Sequence, residues 1–298
     1  MDLAKYLRDP GRIVRKMQWR RLHHGPPRDV TVPSWNGTLT FSSRDRFISK
    51  YLCVDGAYER RTIENAMGAL VRAGRLDGHG TLLDVGANIG MITTALLTHD
   101  WFSRAVCFEP SPANLRLLRM NVAQNGLSAR VTVVGSALGD APGEATFELS
   151  DSNFGDNRVR AAGVMEGAPG AYREETRRAI TVPVDTLDHA LAVAGVRVGD
   201  VRLLWMDIQG FEAKCLAGAA QTLAARVPVV MEFWPYGLAR AGTSREAFLA
   251  LVRAHFTSAM RIRDEGAEPI TLDQVGALFD EVRAPNKMTQ LLLLPPAR

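Results

Sequence analysis

Cysteine is scarce: Cys53, Cys107 and Cys215 are the only three in 298 residues. They lie far apart with no metal-ligand spacing. This excludes a disulfide scaffold and a cysteine-based zinc site, and fits buried thiols in a reducing compartment. The six histidines form no ligand cluster, and no nucleophile–histidine–acid spacing is visible. Long apolar runs are also missing. Nothing approaches the ~18 residues of a membrane span, and Leu291-Leu292-Leu293-Leu294 is far too short. No secretory signal is recognisable, so the expected location is cytoplasmic. Repeats and low-complexity tracts are absent, and 46% apolar with 23% charged residues is the composition of a folded globular chain.

Acidic residues are few at the N-terminus. Residues 1–28 carry Lys5, Arg8, Arg12, Arg15, Lys16, Arg20, Arg21 and Arg28 against Asp2 and Asp9, while the whole chain is only +4. The plainer reading is a solvated helix packing through Leu3, Tyr6, Ile13 and Trp19. Weak contact with an anionic membrane surface is the alternative, and the thin aromatic interleaving argues against nucleic acid. Gly25-Pro26-Pro27 closes this segment, and residues 1–49 are read as a basic N-terminal extension.

From Leu82 the pattern becomes regular. Apolar runs at 82–85, 105–108, 131–134, 201–206, 229–231 and 289–294 read as strands with helical spacing between most of them. Helices are expected from Pro112 to Asn125-Gly126, at 186–194, at 211–225, and from a capping box Thr243-x-x-Glu246. Residues 59–73 have helical spacing, and 30–41 are strand-like. Between 139 and 184 the texture changes. Runs at 145–149 and 179–184 predict a β excursion with a polar mobile segment from Ser150 between its strands. Alternating strands and helices imply a mostly parallel α/β sheet with ligands at the carboxyl ends of its strands.

The densest chemistry lies at those ends. Leu82-Leu83-Asp84-Val85-Gly86-Ala87-Asn88-Ile89-Gly90 is a strand, an acid and a glycine turn opening a helix. About 25 residues on, a second strand ends in Glu109. Glycines allow close backbone approach to a ligand, and a carboxylate at this interval suits ribose hydroxyls. A dinucleotide fingerprint would require a glycine where Asn88 stands and another where Met91 stands. The loop therefore suits an adenosine cofactor without a pyrophosphate, such as S-adenosylmethionine. Asp207 and Glu232 end two later strands, so four carboxylates are expected along one rim. An acid after a strand is often only a helix cap. Asp207 is preferred as functional because Gly210 and Glu212 follow it in an unusually polar turn. Asn153, Asp156 and Asn157 are individually turn formers and together a candidate polar lid over a hydroxylated substrate.

These residues resemble the FkbM family of S-adenosylmethionine-dependent methyltransferases. The resemblance rests on Leu83 to Gly90, Phe108-Glu109-Pro110 and Met206-Asp207-Ile208-Gln209-Gly210-Phe211-Glu212, supported by Val184-Asp185-Thr186-Leu187-Asp188 and Asp55-Gly56-Ala57-Tyr58-Glu59. It covers residues 50–298, read as the methyltransferase domain. Family members commonly have Lys-Ile-Asp-Val-Glu-Gly where this chain has Trp205-Met206-Asp207-Ile208-Gln209-Gly210. Trp205 then offers an aromatic wall, and the departure bears on the substrate rather than the cofactor.

The resemblance implies a Rossmann-like, seven-stranded sheet with its last strand antiparallel. It also implies methyl transfer, usually to a hydroxyl oxygen of a sugar or secondary metabolite. By analogy, Glu59, Asp84, Gly86, Asn88, Gly90, Glu109, Ser136, Ala137 and Asp207 would contact the cofactor. Asp84 would orient its amino group, Glu109 would hold the ribose, and Ser136-Ala137 would sit near the adenine. Asp207 is the preferred general base and Glu232 the second; a divalent cation held by the two is an alternative, although no metal is predicted. Asn153, Asp156, Asn157, Gln209 and Trp234 are the candidate acceptor contacts. The expected partner is a small-molecule or glycan acceptor, with no nucleic acid. A nicotinamide-dependent oxidoreductase and a catalytically silent binding protein are the rival readings. The first lacks the third glycine and a clear Tyr-Lys or His-Asp set, and the second must explain the intact Asp84, Gly86, Gly90 and Glu109.

Overall fold

A computed structural model describes residues 9, 11–76, 78–160, 172 and 177–297. Its centre is an eight-stranded sheet in the order β13-β12-β14-β11-β10-β3-β4-β5. These strands are β3 (Thr81–Val85), β4 (Arg104–Phe108), β5 (Val131–Val134), β10 (Val201–Met206), β11 (Val229–Phe233), β12 (Ser258–Arg263), β13 (Gly266–Ile270) and β14 (Thr289–Leu294). The neighbours β11, β10, β3, β4 and β5 are parallel, whereas β14 inserts antiparallel between β11 and β12. Without the edge strand β13, the order is the expected seven-stranded one with its last strand antiparallel. The hairpin β12–β13 was not legible, because Pro269 and alternating charges break its apolar signal.

The sheet runs are apolar on both faces because both are covered. Val85, Phe108, Leu204 and Met231 join one core, while Leu82, Cys107, Leu203 and Trp205 join the other. Trp205 is 1% exposed within that second core, so it is packing rather than the expected aromatic wall. The strand order reverses between the parallel neighbours β3 and β10, and this topological switch point is where such sheets bind ligands, beyond the carboxyl ends of the strands.

Two local expectations are corrected. The helix expected at 211–225 is two helices, Glu212–Ala217 and Ala220–Ala224. At the break, a Cβ on Gly218 would stand 2.2 Å from the Gly139 carbonyl oxygen, so this backbone packs directly on the start of the excursion. The helix Arg245–His255 is capped by Ser244, which accepts from Ala247 N, rather than by Thr243. The reciprocal capping box occurs instead at Thr271 and Gln274, on the helix Leu272–Glu281.

The excursion is a second sheet in the order β6-β9-β7-β8, formed by β6 (Ala137–Leu138), β7 (Gly143–Leu149), β8 (Arg158–Val159) and β9 (Arg178–Asp185). The mobile segment expected inside it falls partly on 161–171 and 173–176, outside the described residues. A hairpin of β1 (Asp29–Ser34) and β2 (Gly37–Ser42) packs on the helix Pro112–Gln124. Asn121 fixes it by accepting from Thr40 N at 2.7 Å and donating to Thr40 O at 3.0 Å. The helix Gly11–His24 rests against 49–55 through Trp19 Nε1 to Ser49 Oγ, Arg15 Nε to Val54 O and the Arg12–Asp55 pair. Ile13 points outward at 48% exposure, and Leu3 and Tyr6 lie outside the described residues.

Candidate active site

A cleft with about 500 Å³ of empty space opens at the carboxyl ends of β3, β4 and β10. Gly86, Asn88, Glu109, Ser136, Ala137 and Asp207 line it, as does Asn157 from the excursion. Asn114, Phe154, Arg158 and Phe211 also contribute, none of them a residue the motifs had picked out as a contact. One signal for Asn114 was available: it shares a helical face with Leu117, Leu118, Asn121 and Val122, a polar residue on a buried stripe.

Glu109 is held from two sides. Oε2 accepts from Asn88 N at 2.9 Å and Oε1 from Ser111 N at 2.7 Å. Burial nevertheless raises its pKa to about 7. A carboxylate has about four acceptor positions, so two backbone donors leave capacity for a diol. Three nearby polar atoms are buried without any partner: Asn88 Oδ1, Asn114 Oδ1 and Ser136 Oγ. Both asparagine amides donate instead to the Phe154 carbonyl, at 3.1 and 3.4 Å. Unsatisfied buried groups are costly, so three on one cleft indicate a polar ligand that completes them.

The glycines act mainly within the protein. A Cβ on Gly86 would lie 2.0 Å from the Asp207 carbonyl oxygen, so this residue lets the loops after β3 and β10 touch. Gly90, at φ 89°, caps the helix Met91–Thr98 and faces Leu118. Asp84 points inward: Oδ2 accepts from Thr93 Oγ1 at 2.6 Å and Thr93 N at 3.2 Å, and burial raises its pKa to about 6.

Beside the cleft, Gln209 Nε2 donates to Asp207 Oδ1 at 2.7 Å and Glu232 Oε2 at 2.9 Å. The amide thus bridges two acids that would otherwise repel. Burial raises Asp207 to about 6, with the Gln209 bond pulling it back. Glu232 is pushed well above the carboxylate range by burial and by Asp207. Glu59 is raised to about 8 by burial and by Asp207, and it shares a hydrogen bond with Tyr58. Glu59, Asn88 and Gln209 all adopt positive φ, at 49°, 52° and 57°. Such backbone strain in non-glycine residues clusters at functional sites. Among the described residues, no group of three or more His, Cys, Asp or Glu side chains is arranged to hold a metal.

The other candidate acceptor contacts serve the excursion. Asn153 caps the turn Phe154–Asp156 by accepting from Gly155 N. Asp156 pairs with Arg177 and lies 3.4 Å from Arg158 Nη2. Asn157 Oδ1 accepts from Ser150 N at 2.8 Å. Trp234 is 1% exposed, donates to Pro285 O and lies under Arg158, whose guanidinium is 5.2 Å from its ring centroid.

Sheet order, antiparallel last strand and a cleft at the switch point define a Rossmann-like fold of the methyltransferase type. A family model described as the Methyltransferase FkbM domain matches residues 84–258, and the chain belongs to that family. A curated relative, the 2-O-methyltransferase NoeI of Sinorhizobium fredii (strain NBRC 101917 / NGR234), is 28% identical over 147 residues. The match covers 48% of this chain and 58% of that protein, so the chain spans little more than half of the relative's length. Similar solved structures include the methyltransferase FkbM from Methylobacillus flagellatus KT, with TM-score 0.45, 13% identity, and 97% and 60% of the two chains covered. The B. subtilis tRNA methyltransferase TrmK gives TM-score 0.40, 8% identity, and 79% and 65% coverage.

Proposed function

We propose that the protein is a cytoplasmic enzyme that transfers the methyl group of S-adenosylmethionine to a hydroxyl oxygen of a small-molecule or glycan acceptor. The observation that carries this reading is the cleft itself: a doubly anchored Glu109 beside three unpartnered polar atoms, next to a carboxylate pair. Residues 50–298 are its methyltransferase domain and 1–49 its basic extension.

Glu109 would accept from the ribose hydroxyls, with Ser136 and Ala137 beside the adenine and Asn88 and Asn114 completing the polar wall. Gly86 would shape the floor under the methionine part by fixing the two loops together. Asp84 acts from behind this floor through Thr93, and Gly90 by starting the helix that carries Thr93. The cofactor supplies an electrophilic sulfonium methyl; the chain supplies alignment, exclusion of water and a base. A neutral alcohol is a poor nucleophile, so its proton should leave as the new O–C bond forms. Asp207, at about 6, gives up its proton more readily than Glu232, which burial and the neighbouring Asp207 push well above the carboxylate range. Two neighbouring acids with separated affinities divide the work: Asp207 takes the proton, and Gln209 keeps its carboxylate aimed.

Calorimetric titration of S-adenosylhomocysteine tests the reading. Wild type should bind at micromolar strength, about −8 kcal/mol, and Glu109→Ala should lose at least about tenfold. Asp207→Asn should still bind this ligand while its turnover on an accepted substrate drops by about 10²–10⁴. Folded wild type that fails to bind would overturn the proposal.

A further inference from the structure

Three aromatic side chains lead outward from the carboxylate cluster. Tyr58 shares a hydrogen bond with Glu59. Its carbonyl accepts from Asn36 Nδ2 at 3.0 Å, and that amide also donates to Met91 O at 3.2 Å, where the helix after the glycine turn begins. The Tyr58 ring meets Tyr51 edge-on, at 5.9 Å between centroids and 90°. Tyr51 meets Phe47 at 5.3 Å and 64°. Exposure rises along the series, from partly buried Tyr58 to Tyr51 at 38% and Phe47 at 46%. Single exposed apolar residues are ordinary, but a stepped pair continuous with a buried polar cluster is not.

The backbone beneath them is irregular and firmly held. Tyr51–Asp55 is a π-helical turn, a rare form concentrated at functional sites. Asp45, 2% exposed, accepts from Phe47 N at 2.8 Å and Ile48 N at 2.7 Å through Oδ1. Its Oδ2 accepts from Phe154 N at 2.8 Å. One buried carboxylate therefore ties the aromatic segment to the loop that walls the cleft.

We propose that Phe47, Tyr51 and Tyr58 form an extended acceptor track that receives a glycoside of at least two rings. The inference rests on the methyl-transfer reading above and names the class of its acceptor. The hydroxyl to be methylated sits at Asp207, and the next ring lies against Tyr51 and Phe47. Carboxylates and the Gln209 amide suit hydroxyl groups, and the apolar C–H face of a sugar ring packs on aromatic side chains. An anionic acceptor is disfavoured by the ionised Asp207 carboxylate.

The test compares methyl transfer to methyl glycosides of hexoses, deoxyhexoses and hexosamines with transfer to oligosaccharides carrying the same terminal residues. Wild type should favour the longer acceptor by about tenfold in kcat/KM, and Phe47→Ala/Tyr51→Ala should bring that ratio toward one, chiefly through KM. Val193→Ala, which removes an exposed apolar side chain outside the track, should leave the ratio unchanged. An equal ratio in wild type and the double variant overturns the track. So does a wild type that binds S-adenosylhomocysteine but methylates no glycoside. A protein that does not bind S-adenosylhomocysteine overturns instead the methyl-transfer reading beneath it.

Discussion

Glu212 shows how a motif residue can act without touching a ligand. It is 0% exposed, its Oε1 accepts from Ile208 N at 3.0 Å, and burial raises its pKa to about 8. The side chain is thus neutral at pH 7 and pins the turn that presents Asp207. Gln keeps the acceptor for Ile208 N and cannot ionise. Glu212→Gln should therefore melt within about 2 °C of wild type at pH 6.5 and above it at pH 9, where wild type must bury a charge. Thermal melts at the two pH values check this, and a large loss at both would show that the charge is required. The strand-end positions of Asp84, Glu109, Asp207 and Glu232 were legible from apolar runs ending in an acid. Their orientations were not. That Asp84 turns to Thr93 while Asp207 is bridged to Glu232 depends on contacts between elements distant in sequence.

Among elements, the β1–β2 hairpin is tied to the helix Pro112–Gln124 by Gln124 and Arg116 toward the surface and by Asn121 at its buried centre. Asn121 is 0% exposed and also donates to Ile89 O at 2.7 Å, so it satisfies three backbone groups across two neighbours. Asn121→Ala should cost about 3 kcal/mol, because buried donors and acceptors lose partners, with early proteolysis near residues 29–42. Denaturant unfolding with limited proteolysis measures both, and an unchanged midpoint would show that the hairpin is held elsewhere. The sheet-forming runs were readable because both faces are buried, which makes the strands continuous apolar segments. The β12–β13 hairpin and the helix Leu272–Glu281 escaped notice because one face of each meets water and the apolar signal is halved.

The molecule as a whole concentrates raised carboxyl groups near one end of its sheet. Glu59, Glu109 and Glu212 sit at about 8, 7 and 8, and Asp84 and Asp207 at about 6. Each binds its proton more tightly folded than unfolded. Their stabilisation is complete below the ordinary carboxylate range and is lost as pH rises through about 6 to 8. Ligand-free protein should accordingly melt lower at pH 8.5 than at pH 5.5. Scanning calorimetry decides this, and a melting temperature that rises across the interval would contradict it.

The second sheet begins and ends at one point. Ala137 pairs with Val184 and Leu138 with Asp185, and Gly139 N donates to Asp185 O at 2.9 Å. The chain between leaves the central sheet and returns through the same two-residue parallel ladder, so its length adds little to the closure entropy of the fold. Yet it delivers Phe154, Asn157 and Arg158 to the wall of the cleft. Geometrically it is a cassette on a fixed socket. Lengthening, shortening or replacing what lies between the paired ends can reshape the ligand's surroundings while leaving β3, β4 and β10 untouched, which gives this scaffold a route to new acceptors that does not pass through its core.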